Sequence, residues 1–220
     1  MFDQKKFYPV QCRNEVFLTR GLMLTIGLTG GIGTGKSLVS EILEKCGASL
    51  INADLLGHES YLPGTEGFHQ VVFRFGSEVV GRNGTIDRKA LGKLVFADSE
   101  NMSDLNAILH PIIFELIKKK LENNLNNNVG VTVVEAAILI EAGWQELFDE
   151  IWVVSSNQNV VIKRLQTRNG LNVKQAMARI NAQMSQKERI QHADRIIDNS
   201  GTVEQLHCRV NKIWLEKSKS

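Results

Sequence analysis

The run Leu22-Met23-Leu24-Thr25-Ile26-Gly27-Leu28, followed at once by Gly30-Gly31-Ile32-Gly33-Thr34-Gly35-Lys36-Ser37, decides the fold. Its first part is short, apolar and bounded by glycines, the pattern of a strand buried on both faces. Its second part satisfies the phosphate-loop pattern GxxxxGK[ST] in full. Ser37 to Cys46 then sets Val39, Ile42 and Leu43 on one helical face and stops at Gly47. Ala48 to Ile51 reads as a second strand. Strand, glycine-rich turn, helix and strand form one βαβ unit, which demands parallel strands and a right-handed crossover.

Further strands follow at Val129 to Val134, which ends at Glu135, at Glu150 to Val154, and at Arg195 to Ile197. A charged helical stretch, Asn157 to Ile190, lies between the last two. The middle is helical: Thr65 to Phe75, Arg88 to Phe96 and Asp104 to Leu121 carry helix-period apolar spacing. Pro111 predicts a kink or two abutting helices, and the polar run Glu122 to Asn128 reads as a loop. The fold class is therefore α/β, a doubly wound parallel sheet of five strands with the helical middle as a cap.

The 220 residues carry a net charge of +2 and are 43% hydrophobic, which excludes a disordered chain. No apolar run approaches the roughly 18 residues needed to cross a bilayer. So small a charge gives no basis for a duplex nucleic acid partner. Lys118-Lys119-Lys120 ends an apolar helical pattern and reads as a solvated last turn. Cys12, Cys46 and Cys208 are odd in number and lack ligand spacing, so neither a disulfide framework nor a zinc site follows, and a reducing compartment is expected. Residues 1–22 lack a signal-peptide core and carry Asp3 and Glu15, which transit peptides avoid. They read as an extension without assigned chemistry, or as sequence upstream of a start at Met23.

The glycines of the loop let backbone N–H groups turn inward around phosphate oxygens, and the helix behind adds its positive end. Gly31, Gly33, Thr34, Gly35, Lys36, Ser37 and Leu38 are expected along the nucleotide phosphates, with Lys36 on the β and γ groups and Ser37 on Mg²⁺. Glu135 is placed to complete the metal shell, or else is a capping or salt-bridged acid. Asp54 closes the second strand, where an acid faces the ligand crevice and can deprotonate an acceptor hydroxyl; the bland alternative is a helix N-cap. Arg164 and Arg168, four apart on one helical face, suit a phosphoryl group or are surface arginines. His110 is a ligand contact or a helix-junction histidine. No NKxD segment follows the loop, and Asn211-Lys212-Ile213-Trp214 has Trp where Asp is required, so a GTPase is set aside. A small-molecule kinase is the better reading, with a nucleoside monophosphate kinase as the nearest alternative.

LTGGIGTGKS (Leu28 to Ser37), INADLLGH (Ile51 to His58), LNAILHP (Leu105 to Pro111), AAILIEAG (Ala136 to Gly143), KRLQTRNGL (Lys163 to Leu171) and RIIDNSG (Arg195 to Gly201) together resemble the dephospho-CoA kinase family. The resemblance runs from Met23 to the C-terminus. It implies transfer of the ATP γ-phosphate to the 3′-hydroxyl of dephospho-CoA, by a cytoplasmic enzyme, a monomer or else an oligomer, that needs Mg²⁺ and no nucleic acid or membrane. It also implies a core at 23–60 and 129–220, a helical CoA-side cap at about 61–128 and a lid at about 163–192. Asp54 then corresponds to the base, Arg164 and Arg168 to lid-side phosphate contacts, Asn199 to the segment passing the adenine, and His110 to the acceptor side. The family's usual Asp-Ala-Asp is Asn52-Ala53-Asp54 here, and its usual Asp is Glu135. Ala136-Ala137 followed by Glu141-Ala142-Gly143-Trp144 looks more like the kinase half of the bifunctional eukaryotic CoA synthase.

Overall fold

A computed structural model describes residues 23–217 of the chain. The expected N-terminal extension at residues 1–22, with Cys12, lies outside the described residues. Five strands are present: β1 (Leu24–Thr29), β2 (Ser49–Asn52), β3 (Val131–Glu135), β4 (Glu150–Ser155) and β5 (Arg195–Asp198). They form one sheet in the order β2-β3-β1-β4-β5, and the β1·β3, β1·β4 and β4·β5 ladders are parallel. β1 is central, and its register sets Leu28 beside Glu135 on one side and Trp152 on the other. The doubly wound five-stranded α/β expectation thus holds.

Residues 52–122 form one compact unit, and the rest of the described chain forms another. In the sheet unit, α1 (Lys36–Lys45) and α9 (Val203–Lys217) cover the strands. Their Val39, Leu43, Leu206, Val210 and Trp214 join Ile26, Leu28, Val133 and Trp152 in one core. The four-residue spacing of Leu206, Val210 and Trp214 marks α9 as amphipathic. The charged stretch after β4 is three helices, α6 (Gln158–Asn169), α7 (Val173–Asn181) and α8 (Gln186–Ile190). They are separated by Gly170, at φ 64°, and by capping boxes at Asn172/Gln175 and Ser185/Glu188.

The other unit holds α2 (Ala53–Glu59), α3 (Glu66–Phe75), α4 (Arg88–Ala97) and α5 (Ser99–Asn126), the last crossing its boundary. Asn52, Thr65 and Asp87 each cap a helix through a side-chain oxygen. Two expectations are corrected on α5: in place of two abutting helices at Pro111, a single helix of 28 residues runs through it. Leu109, Ile113, Ile117 and Leu121 are buried at four-residue spacing, and that packed stripe outweighs the one backbone bond proline removes. The polar run from Glu122 is helical as far as Asn126, and only Asn127 and Asn128 turn: the Asn124 amide donates to Ser49 Oγ at 2.9 Å and Thr132 Oγ1 at 3.0 Å. Among the described residues no helix is long and apolar enough to cross a membrane.

Gly27, in mid-β1, has no room for a side chain: a Cβ there would lie 2.7 Å from Leu139 Cδ1 and from Phe148 Cδ2. Gly27→Val is expected to lower the unfolding free energy by about 1–3 kcal/mol through overpacking, read from urea melts.

Candidate active site

The phosphate loop leaves the carboxyl end of β1 and enters α1. Gly35 is the N-cap of α1, in the left-handed region at φ 96°, and no side chain among the described residues caps the helix. The first-turn N–H groups are therefore left to an anion. Glycine is demanded twice at this position, since a Cβ would also sit 2.2 Å from Asn199 Nδ2.

That contact belongs to a brace on the loop's carbonyl side. Asn199 is 3% exposed and donates Nδ2 to the Thr34 carbonyl at 2.8 Å. Arg164 donates Nη1 to the Gly33 and Thr34 carbonyls, both at 3.3 Å, and Nη2 to the Asn199 carbonyl at 2.9 Å. Ser156 Oγ also donates to the Asn199 carbonyl, at 2.9 Å. A trans peptide points its C=O and N–H in opposite directions, so fixing the Thr34 carbonyl turns the Gly35 N–H the other way.

On the helix side, Glu135 closes β3 at 8% exposure. It accepts from Ser37 Oγ at 3.0 Å and from Ser40 Oγ at 2.8 Å. A carboxylate and a serine hydroxyl this close form an all-oxygen donor set, the chemistry Mg²⁺ takes beside phosphate oxygens. The residues present fit that ion.

Elsewhere the expected residues are distributed as follows. Leu38 packs its side chain on the main core, so what it offers a phosphate is its backbone N–H. Arg164 and Arg168 separate: Arg164 turns into the brace, while Arg168 is exposed in the last turn of α6, its Nε donating to Asn169 Oδ1 at 3.2 Å. Asp54 lies exposed in the first turn of α2, in the unit of residues 52–122. The N-cap alternative for it fails, because Asn52 Oδ1 accepts from Leu55 N at 3.0 Å and does the capping. His110 is half-buried on α5, and desolvation pulls its pKa below the ordinary value. Ser40, Ser156, Gln183 and Arg189 were not singled out from the sequence. Only Ser40 had a readable signal there, three residues after Ser37 on one helical face.

A phosphate loop on the central strand of a parallel sheet, with a carboxylate from the next strand on its serine, defines a P-loop phosphotransferase. The family model for dephospho-CoA kinase matches residues 24–205. A dephospho-CoA kinase from Geobacter sulfurreducens is 43% identical over 195 residues, 89% of this chain and 99% of that one. A crystal structure from Thermus thermophilus is similar with a TM-score of 0.73 at 30% identity, over 88% of this chain and 97% of that one. A dephospho-CoA kinase structure from Campylobacter jejuni gives 0.69 at 26% identity, over 90% and 98%. The chain belongs to the dephospho-CoA kinase family.

Asn199→Ala removes the shorter of the two bonds on the Thr34 carbonyl and leaves it to Arg164 alone, at a cost of about 0.5–1.5 kcal/mol. Weaker ADP binding by calorimetry and a lower urea midpoint are the expected readings. His110 sets a pH dependence. Its folded-state value is depressed, so the unfolded chain binds the proton more readily and stability is lost as pH falls through 6.5. Thermal midpoints between pH 7 and 5 should fall more shallowly in His110→Gln than in the parent.

Proposed function

We propose that this chain transfers the γ-phosphoryl group of ATP to the 3′-hydroxyl of dephospho-CoA, giving CoA and ADP. The observation that carries the reading is the family match over residues 24–205, together with a phosphate loop whose serine is already joined to Glu135. The bond between the γ-phosphorus and the β–γ bridging oxygen breaks, a bond to the ribose 3′-oxygen forms, and the hydroxyl proton passes to Asp54. Phosphoryl transfer has a loose transition state, so alignment and charge neutralisation dominate over base strength.

The roles follow from that weighting. Gly31, Gly33, Thr34, Gly35 and the backbone of Leu38 hold the phosphates, and Lys36 neutralises charge on the β and γ groups. Ser37 and Glu135 hold the Mg²⁺ shell; when bound, the ion screens the charge of the phosphate oxygens. Asp54 orients the acceptor hydroxyl and takes its proton, and His110 lies on the acceptor side. Arg168 remains a phosphate contact on the lid, residues 163–192. Arg164 is reassigned to positioning, because its guanidinium is spent on the carbonyls of Gly33, Thr34 and Asn199. Asn199 supports the loop from the segment that passes the adenine, and residues 61–128 form the CoA-side cap. The reaction is assigned to the cytoplasm and to a monomer, with an oligomer as the alternative.

The test is ATP-dependent conversion of dephospho-CoA to CoA followed by mass, with a panel of nucleoside monophosphates and sugars as rival acceptors. Preference for a rival acceptor would overturn the substrate. Asp54→Asn should lower kcat by about 10²–10⁴-fold, the range of a positioned base. Lys36→Ala should lose several kcal/mol of transition-state stabilisation, on the order of a missing charge-stabilising group. Chelation of the divalent ion should stop turnover and be reversed by added Mg²⁺.

A further inference from the structure

The segment joining α7 to α8 lies against the far edge of the phosphate loop. Gln183 Oε1, in this segment, accepts from the Ile32 N–H at 2.8 Å. The Ile32 side chain packs on a small apolar cluster of Val161, Leu165 and Ala176 from α6 and α7. The loop edge is thus held by its backbone and by its side chain, both times from residues C-terminal to β4. The other end of the segment is anchored by Arg189 on α8, which is 1% exposed. It donates Nη2 to Glu141 Oε1 at 2.9 Å and to the Met184 carbonyl at 3.3 Å. It donates Nη1 to the Ala137 carbonyl at 3.1 Å and to Thr29 Oγ1 at 3.3 Å. Thr29 ends β1, and Ala137 and Glu141 follow the strand that carries Glu135. Gln183, Arg189, Gly31, Ile32 and Thr34 line one cavity of about 790 Å³.

This arrangement is a poor way to gain stability. Among the described residues Arg189 Nε, though buried, has no hydrogen-bond partner. The guanidinium is buried while its carboxylate partner Glu141 keeps 28% of its side chain exposed, and a buried cation with a donor left over is costly to desolvate. What the guanidinium supplies and an apolar chain cannot is a fixed geometry linking the ends of β1 and β3 to the Gln183 segment. The backbone N–H groups of a phosphate loop cradle the α and β phosphates, and its lysine reaches the β and γ groups.

We propose that Arg189 is a positioning residue for phosphoryl transfer. It fixes the α7–α8 segment so that Gln183 holds the Ile32 N–H, and with it the loop that carries Lys36. The inference rests on the kinase reading above, and its test separates the two.

Arg189→Met, Arg189→Lys, Gln183→Ala and the double variant Arg189→Met/Gln183→Ala are compared with the parent in two assays. The first is calorimetric affinity for ADP and for a non-hydrolysable ATP analogue. Arg189→Met and Gln183→Ala should each weaken the analogue about tenfold and leave ADP within a factor of about two, with the double variant no worse than the poorer single because they act in series. Arg189→Lys, which keeps the charge but not the fork of donors, should recover part of the loss. The second assay is turnover with dephospho-CoA per folded enzyme, where kcat should fall with KM for dephospho-CoA unchanged. A thermal midpoint that drops while analogue discrimination and kcat stay at parental values shows a purely structural residue and overturns the proposal. Equal losses for ADP and analogue overturn it as well. If Arg189→Met does not fold, the Gln183→Ala result decides on the same criteria. Should the parent not phosphorylate dephospho-CoA at all, the substrate assignment fails, while the ADP-against-analogue comparison still decides the role of Arg189.

Discussion

The carbonyl of Thr34, held by the Asn199 amide and the Arg164 guanidinium, is the constraint on which the site depends. A glycine-rich loop is free to adopt many conformations, and only a few direct its N–H groups toward one point. Here the choice is made from the sheet. The Asn199 N–H donates to the Ser155 carbonyl at 2.8 Å, continuing the β4·β5 ladder one residue past the strand. The amide that fixes the loop is therefore placed by the strand pairing itself. Arg164 adds a second support from α6, joining the carbonyls of Gly33, Thr34 and Asn199 in one guanidinium. No side chain larger than hydrogen at Gly35 is compatible with this, because the brace occupies the space a Cβ needs.

The carboxylate side obeys the same logic. The β1·β3 register sets Glu135 level with Leu28, the second residue before the loop begins. The extra methylene of glutamate, compared with the family's usual aspartate, lengthens its reach, and α1 answers with two hydroxyls one turn apart. Ser37 takes Oε1 and Ser40 takes Oε2, so the carboxylate is oriented even though it is almost wholly buried. Burying an anion is costly unless it is hydrogen-bonded, and two donors from the helix that follows the loop meet that need. Ser40 thus explains how a glutamate is accommodated at this position.

Much of this was legible in the sequence, for identifiable reasons. The βαβ unit and the phosphate loop are local patterns whose chemistry is written in adjacent residues, and the buried strands read as continuous apolar runs. The interior of the sequence was less legible where long-range packing overrode composition. Pro111 and the Asn-rich end of α5 look like breakers, yet a buried stripe and the Asn124 bonds hold the helix through both. Spacing put Arg164 and Arg168 on one face but could not say what that face meets, and one was drawn into the loop while the other stayed in solvent. Arg189 and Gln183 were invisible because their partners, Glu141 and Ile32, are distant in sequence and joined only by topology.

Asn52 shows how a departure from the family pattern is absorbed. At an N-cap, asparagine and aspartate are nearly equivalent, since either supplies an oxygen to a first-turn N–H. Asn52 does so for Leu55, so α2 keeps its start. What the change removes is a negative charge two residues from Asp54. A second carboxylate there would repel the Asp54 carboxylate and an approaching phosphate alike. The sequence offers Asp54 for both capping and proton transfer; the structure gives the capping to Asn52 and leaves Asp54 exposed in the first turn of α2.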